Sequence, residues 1–336
     1  MPGSVDYALM APAKRVVEEL MEVHAGERVV LVHDTTNTGI ARALEDAAVE
    51  RRAWVERIAL DAGPSRPWAT CPPAAIAALE GAAASILAIR AEEAEYAMRC
   101  QFVEAAMRRR LRHVHMIGVS DRAFIGSMSA AVPRVLDLIR ALSAAMGPTT
   151  RLAVRSAAGT DLEITMAPHL RWFANGAVLS PGQWVTVPYG AVLTSPATVQ
   201  GTYVVDASMA GEPGVRFGLL SSRAIRLVID HSVVRFVECS EAAIQRHVER
   251  FVSGGNGCEK VGLLGLGANV GIPQALGELH YDVNMPGVHL SLGETFPLET
   301  GATWRARAQL GFAMANADVD LDGAPLIRRG RFVRFV

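Results

Sequence analysis

The segment from Val261 to Phe332 holds the densest group of candidate metal ligands and acid/base groups in this 336-residue chain. Its members are Glu278, His280, Asp282, His289 and Glu294. Imidazole and carboxylate groups transfer protons in general acid/base catalysis, and they also bind zinc, manganese or iron. The segment is rich in glycine, which lets the backbone turn sharply and place side chains around a cavity. It is therefore the candidate active site, and the rest of the chain is expected to be its scaffold.

Three of these residues, Glu278, His280 and Asp282, form the pattern E-x-H-x-D. On a β-strand, the period of two would place all three side chains on one face. If a metal is bound here, its expected ligands are Glu278, His280, Asp282 and His289. The alternative is a solvated polar strand face, because the chain contains no established metal motif such as HExxH.

The chain shows no other catalytic or redox framework. Its four cysteines are scattered, without the paired spacing of a zinc site or a disulfide frame. It has no GxSxG nucleophile elbow and no Cys, His and Asn arrangement that indicates a nucleophile. An apolar run of the roughly 18 residues needed for a membrane span is absent, as is a basic-then-apolar signal segment. We expect a cytoplasmic protein.

The charge of the chain is balanced, and the expected partner is a small-molecule substrate rather than nucleic acid or a membrane. There are 33 basic and 34 acidic residues, so the composition gives no electrostatic reason to bind nucleic acid or an anionic membrane. Half of the residues are apolar, enough for a sizeable core without disulfides or metal. The length of the chain predicts two domains.

The first half alternates short apolar runs with helical segments. The run ERVVLVHD is typical of a strand buried on both faces, and WVERIAL, SILAIR and HVHMIGVS are predicted to be further strands. Such alternation predicts a parallel sheet covered by helices. His33 and Asp34 end the first strand at the edge where such sheets bind ligands. No GxGxxG follows, so Asp34 is expected to cap the next helix rather than to bind a dinucleotide.

The pattern changes after Gly147 and Pro148. The stretch RLAVRSAAGTDLEITM predicts two strands around a turn at Gly159, and WVTVPYGAVLTSP, GTYVVDASM and AIRLVIDHSVVRFVECS are also rich in β-formers. The predicted fold class is α/β: an N-terminal parallel-sheet α/β domain followed by a mostly antiparallel, β-rich (α+β) C-terminal domain. The predicted boundaries are 1–147 for a Rossmann-like domain and 148–336 for the domain that carries the active site.

Several motifs occur together in the order found in one known superfamily. They are AGERVVLVHDTT, GTDLEI, NGAVLSPGQWVTVPYGAVLTSP with GTYVVD, GLGANVG, GVHLSLGE and DVDLDGAPLIRRGRF. Over most of its length the chain resembles the aminopeptidase T (leucyl aminopeptidase) metallopeptidase family and its relative, 2,5-dihydroxypyridine 5,6-dioxygenase. The resemblance implies an enzyme of small-molecule metabolism and a homodimer formed through the C-terminal domain.

The resemblance also implies metal ligands at six positions, of which one is retained. The peptidases have a glutamate after the PxG turn, a second before the glycine-rich run, a histidine and, seven residues later, a tyrosine. A final His-x-Asp pair is shared with the dioxygenase, where it binds iron. In this chain the six positions correspond, in order, to Ala191, Leu263 or Leu264, His289, Phe296, Gln309 and Gly311. Alanine and leucine cannot coordinate an ion, whereas a two-metal peptidase needs several carboxylates.

Three interpretations follow. The first, which we adopt as the hypothesis, is an enzyme that acts on a small amine, amino-acid-derived or N-heterocyclic molecule. In it His289 is the general acid or base, helped by His280, Asp282 and Glu294. The substrate-binding residues would then include Gln309 and Tyr281, and no cofactor is predicted. The second is a relocated zinc, iron or manganese site that supports hydrolysis or oxygen chemistry. The third is a binding protein without catalysis.

Overall fold

The computed structural model describes residues 7–62, 66–90, 92–147 and 149–335. The chain divides into two compact units. Unit 1 comprises residues 1–133 and 176–189, and unit 2 comprises residues 134–175 and 190–336. The predicted boundary between residues 147 and 148 is not the boundary of these units, and as a division between folding domains it stays a prediction. Pro148 itself lies outside the described residues.

Unit 1 is an α/β unit. Numbered along the whole chain, its elements are α1 (Tyr7–Lys14), β1 (Arg28–His33), α2 (Thr38–Glu50), β2 (Trp54–Ala59), α3 (Pro73–Ala78), β3 (Ala84–Ile89), α4 (Tyr96–Arg108), β4 (Arg112–Ile117), α5 (Asp121–Ser127) and β8 (Trp184–Thr186). A π-helical turn over Arg15–Leu20 continues α1. Helix α6 (Val132–Met146) begins in unit 1 and runs into unit 2.

The sheet of unit 1 has five parallel strands in the order β2-β1-β3-β4-β8. Its central strands are buried on both faces, since β3 is an uninterrupted run of buried residues. Alternate residues of β1, such as Val30 and Val32, belong to a core cluster with Phe102 of α4. The prediction of a parallel α/β sheet is therefore confirmed. The WVT strand had been predicted for the second domain, but it pairs with β4 instead.

A buried ion-pair network lies at the carboxyl end of β1. The Arg66 guanidinium donates to Asp34 and to both carboxylate oxygens of Glu95, at 2.9 Å for Nε to Oε1. Both carboxylates are fully buried. Burial alone would raise the pKa of Asp34. Hydrogen bonds from Thr36, from the backbone amide of Arg90 and from Arg66 outweigh it and hold the pKa below its usual range. Asp34 also accepts from the backbone amide of Thr36 and caps a 3₁₀ turn, a local role close to the predicted one.

Unit 2 is built mainly of antiparallel strands. After α6 its elements are β5 (Arg151–Arg155), β6 (Asp161–Thr165), β7 (Phe173–Asn175), β9 (Ala191–Thr194), β10 (Thr198–Val205), β11 (Ser208–Met209), α7 (Glu212–Phe217), β12 (Ile225–Asp230), β13 (Val233–Glu238), α8 (Ala242–Ser253), β14 (Val261–Gly267), α9 (Leu279–Asp282), β15 (Gly287–Gly293), α10 (Pro297–Thr300), β16 (Gln309–Ala313), β17 (Asp318–Leu321), β18 (Ala324–Arg328) and β19 (Arg331–Phe332).

These strands form two sheets that pack on each other. The eight-stranded sheet has the order β13-β12-β10-β6-β5-β17-β18-β19, and the six-stranded sheet has the order β11-β16-β15-β14-β9-β7. Strands β5 and β6 alternate between exposed and buried residues, whereas β14 is buried at every position. The Tyr203 hydroxyl, from β10, donates to the carbonyl oxygens of Val288 and Phe312 in the other sheet, at 3.2 and 3.4 Å. The predicted antiparallel character is confirmed.

No helix among the described residues is long and apolar enough to cross a membrane.

We predict that Arg66→Ala destabilises the protein by about 3–5 kcal/mol, because it leaves two buried carboxylates without their cation. Urea unfolding followed by circular dichroism measures this. Arg140→Ala is the matched control. Arg140 pairs with Asp137 on the surface, where both side chains are 69% exposed, and its loss should cost about 0–1 kcal/mol. A loss for Arg66→Ala as small as that of the control would contradict a structural role for the buried network.

Candidate active site

His289 lies near the centre of the six-stranded sheet. Residues directly opposite each other in antiparallel strands project to the same face. His289 is opposite Gly265 of β14, and Gly265 is opposite Leu193 of β9. We refer to the sheet surface on this side as the His289 face. On β14 and β15 it is formed by Leu263, Gly265, Gly267, Gly287, His289 and Ser291.

Five of the six positions that the resemblance assigns to metal ligands share the His289 face. Ala191 is opposite Gly267, Gly311 is opposite Ser291, and Gln309 is opposite Gly293. Leu263, not Leu264, lies on this side, because it is two residues from Gly265 in the same strand and is opposite Ser291. Phe296 lies outside the strands, before α10. The sequence motifs alone could not reveal this grouping, because only the strand register brings together residues more than a hundred positions apart.

His289 is the only ionisable side chain in the six strands of this sheet, all of which are described. The strand sequences are FAN, AVLT, SM, VGLLGLG, GVHLSLG and QLGFA. Any charge that the side chains of these strands contribute to chemistry must therefore come from His289.

The geometry of His289 fixes its tautomer. Its ring is 3% exposed, and Nε2 lies 2.8 Å from the carbonyl oxygen of Met285. A carbonyl only accepts, so Nε2 carries the proton and Nδ1 carries the lone pair. Nδ1 is buried and has no hydrogen-bond partner within the described structure. Burial lowers the pKa of His289 to about 4. The ring is thus neutral at pH 7, with an unsatisfied acceptor.

The E-x-H-x-D residues do not lie on a strand, so that prediction was wrong. They form the short helix α9, with Glu278 as its N-cap residue. His280 is exposed and Asp282 is fully buried. The Asp282 carboxylate accepts from the backbone amides of Leu276 and Gly277 at 2.8 and 3.0 Å. The five residues from Glu278 to Asp282, polar at every second position, also fit an N-cap followed by one helical turn, which is why the pattern misled.

The remaining candidate residues have varied surroundings. Glu294 accepts from the Phe296 amide at 3.0 Å and pairs with Arg305 at 3.2 Å. Gln309 is exposed, at the start of β16. Tyr281 is buried within α9. The hydrogen bond of His289 goes to the backbone of Met285 rather than to any of these side chains. Their assignment to catalysis or substrate binding therefore stays a prediction.

The donor set does not fit the metal centre that the resemblance implies. Of the five ligand positions on the His289 face, only His289 carries an imidazole, thiolate or carboxylate. A methyl group placed on Gly311 would lie 2.9 Å from Leu279 Cδ2, so apolar side chain occupies the space beside this position. Among residues 7–62, 66–90, 92–147 and 149–335, no group of three or more His, Cys, Asp or Glu side chains could hold a metal ion. The expected set Glu278, His280, Asp282 and His289 is thus not assembled as a ligand group.

Comparison with known proteins identifies relatives. A model of the 2,5-dihydroxypyridine 5,6-dioxygenase family matches residues 10–253, which is more than half of the chain. The match ends before β14, so the segment that carries His289 lies beyond it. None of the curated protein sequences matches the chain.

Two solved structures share the fold along nearly the whole chain. The 2,5-dihydroxypyridine dioxygenase from Pseudomonas putida KT2440 is 17% identical, with 99% of each chain covered and a TM-score of 0.68. Wild-type AmpT from Thermus thermophilus is 15% identical, with 98% of this chain and 100% of that chain covered and a TM-score of 0.67. At these identities the likeness establishes the fold.

We predict that His289 makes stability depend on pH. The unfolded chain binds a proton at this residue near pH 6.5, whereas the folded chain does so only near pH 4. The free energy of unfolding therefore rises as the pH increases from 4 to 6.5, by about 3 kcal/mol from this residue. In His289→Gln this part of the rise should be absent, which urea unfolding at several pH values would measure.

The matched control for that experiment is His169→Gln. The His169 side chain is exposed, so its replacement should leave the slope of the wild-type curve unchanged. The comparison uses differences between variants, because buried His113 also has a pKa lowered to about 4 and contributes with the same sign. Equal slopes for His289→Gln and wild type would refute the assignment.

Proposed function

Because the chain belongs to the 2,5-dihydroxypyridine 5,6-dioxygenase family, we propose that it is an enzyme of that superfamily whose metal site is degenerate. It acts on a small molecule by acid/base chemistry centred on His289. The observation that supports this most is the buried, unpartnered Nδ1 of His289. A buried acceptor without a donor costs free energy unless a ligand or water satisfies it. The retained lone pair therefore favours a role in binding or catalysis.

In the proposed mechanism, Nδ1 accepts a proton from an N–H or O–H group of the substrate. The Nε2–H bond to Met285 holds the ring in the required tautomer and orientation. A neutral imidazole with a pKa near 4 is available as a base at pH 7, but it is a weak one. It becomes effective when negative charge develops on the substrate beside it, because that charge stabilises the imidazolium. The proton later returns to the product from Nδ1.

The sheet surface favours a neutral substrate. A buried ammonium or carboxylate group needs an opposite charge or several hydrogen bonds to offset its lost hydration. The six strands offer no charged side chain other than His289 when it is protonated. Among amines, amino-acid derivatives and N-heterocycles, a neutral heterocycle with an N–H or O–H donor therefore fits best. We further propose a homodimer formed through the C-terminal part of the chain, as the resemblance implies.

The test is turnover of a panel of compounds. The panel contains 2,5-dihydroxypyridine, other hydroxypyridines and aminoacyl p-nitroanilides, each assayed with EDTA and with added iron, zinc or manganese. We expect a neutral heterocycle to react at a rate that EDTA leaves unchanged. In His289→Gln the rate should fall by about 10²-fold or more, because the amide nitrogen of glutamine can replace Nε2 but supplies no base at the Nδ1 position.

His169→Gln is again the control and should keep the wild-type rate. A wild-type rate in folded His289→Gln would overturn the proposed role of His289. Activity that appears only with added metal would instead favour the relocated metal site. Binding of a panel compound without turnover, detected by a thermal shift, would favour a non-catalytic binding protein.

A further inference from the structure

Residues 276–285, which include α9, lie directly on the His289 face, and we refer to them as the covering segment. A methyl group on Gly267 would lie 1.9 Å from the carbonyl oxygen of Met285. A methyl group on Gly311 would lie 2.9 Å from Leu279 Cδ2. Real Cβ contacts with backbone atoms are not as short as the one at Gly267, so the segment can occupy its place only because this position lacks a side chain. At Gly311 the neighbour is the flexible end of the Leu279 side chain.

Hydrogen bonds within the covering segment brace it as one body. The Asp282 carboxylate accepts from the amides of Leu276 and Gly277, at the start of the segment. Asn284 Nδ2 donates to the carbonyl oxygen of His280 at 2.8 Å. The amides of Asp282 and Val283 continue the helical pattern, bonding to residues 278 and 279. The segment can therefore shift without losing its own structure.

Two hydrogen bonds fasten its C-terminal end to the rest of unit 2. The amide of Asn269 donates to the carbonyl oxygen of Asn284 at 2.9 Å. His289 Nε2 donates to the carbonyl oxygen of Met285 at 2.8 Å. At the other end, Gly277 packs against the backbone of residues 218 and 219, where a methyl group would lie 2.2 Å from the Leu219 nitrogen. Both ends are closely packed, since Gly267 approaches the Met285 carbonyl oxygen at least as closely, but only the Met285 end is also held by the residue that it covers.

We propose that the covering segment is a gate for the site at His289, and that the bond between His289 and Met285 is its latch. This inference rests on the proposed function, because a ligand must reach a ring that is 3% exposed. Opening releases the Met285 end and admits the ligand to the glycine-lined face. Closing restores the hydrogen bond that sets the tautomer of the base.

The experiment measures access to His289 without any substrate. Diethyl pyrocarbonate modifies neutral histidine, and mass spectrometry of peptides gives the rate at His289 relative to exposed His231. Gly267→Ala should push Met285 away and speed modification of His289 by about 10-fold or more, since local opening governs the reactivity of a buried group. Gly265→Ala is the matched control on the same strand and face. Its methyl group would meet nothing closer than 3.7 Å, and the rate should stay within about twofold of wild type.

Leu279→Ala is a second opening variant, in case Gly267→Ala does not fold. It removes the side chain that lies over Gly311 and should also speed modification of His289. Unchanged modification of His289 in a folded opening variant would overturn the gate. In wild type, amide hydrogen exchange of residues 276–285 should be about 10-fold faster or more than exchange of β14 and β15. Equal rates of amide hydrogen exchange in the segment and in these strands would show that the segment does not open separately, and would also overturn the gate.

These readouts are separate from turnover. A gate that opens as expected while His289→Gln keeps full activity would refute the proposed role of His289 and leave the gate standing. Lost activity in His289→Gln with an immobile covering segment would refute the gate alone.

Discussion

The hydrogen bond from His289 Nε2 to the carbonyl oxygen of Met285 connects the features of the candidate site. It assigns the proton to one ring nitrogen and leaves the other as a buried lone pair. It also fastens the covering segment to the sheet. Both consequences require the backbone of Met285 to lie close to β14, and the glycine at position 267 makes that approach feasible. One bond thus relates the chemical state of the ring to the position of the segment above it.

The sequence was most informative where a physical signal is local. Apolar runs predicted β1 to β4 to within a few residues. In β1 and β3 the reason is that a strand buried on both faces must be apolar throughout, whereas the edge strand β2 is only partly buried. It was least informative about pairing. Nothing near Trp184 indicates that β8 joins β4, and the polar pattern from Glu278 to Asp282 fits a strand and a helical turn equally well. Helix α5 was missed because its seven residues carry too short a pattern.

The candidate site shows the same contrast. His289 could be selected from the sequence by its place in the resemblance and by its ionisable neighbours. The choice between Leu263 and Leu264 could not be made, because it depends on which face of β14 carries the side chain of His289, and only the pairing with β15 decides that. Nor could the sequence place Met285 over His289, since that contact depends on the missing side chain at Gly267. The family model also ends at residue 253, before the strands that decide the chemistry.

The return of the chain to unit 1 at residues 176–189 has a consequence for biosynthesis. The edge strand β8 is supplied only after β5, β6 and β7 of unit 2 have been made. During translation, the parallel sheet therefore stays incomplete until Thr186 has left the ribosome, and β4 is its open edge until then. An unpaired edge strand invites pairing with other chains. The order of the strands thus leaves the nascent chain with this open edge until its midpoint has been passed, and a cut near residue 147 would make that state permanent.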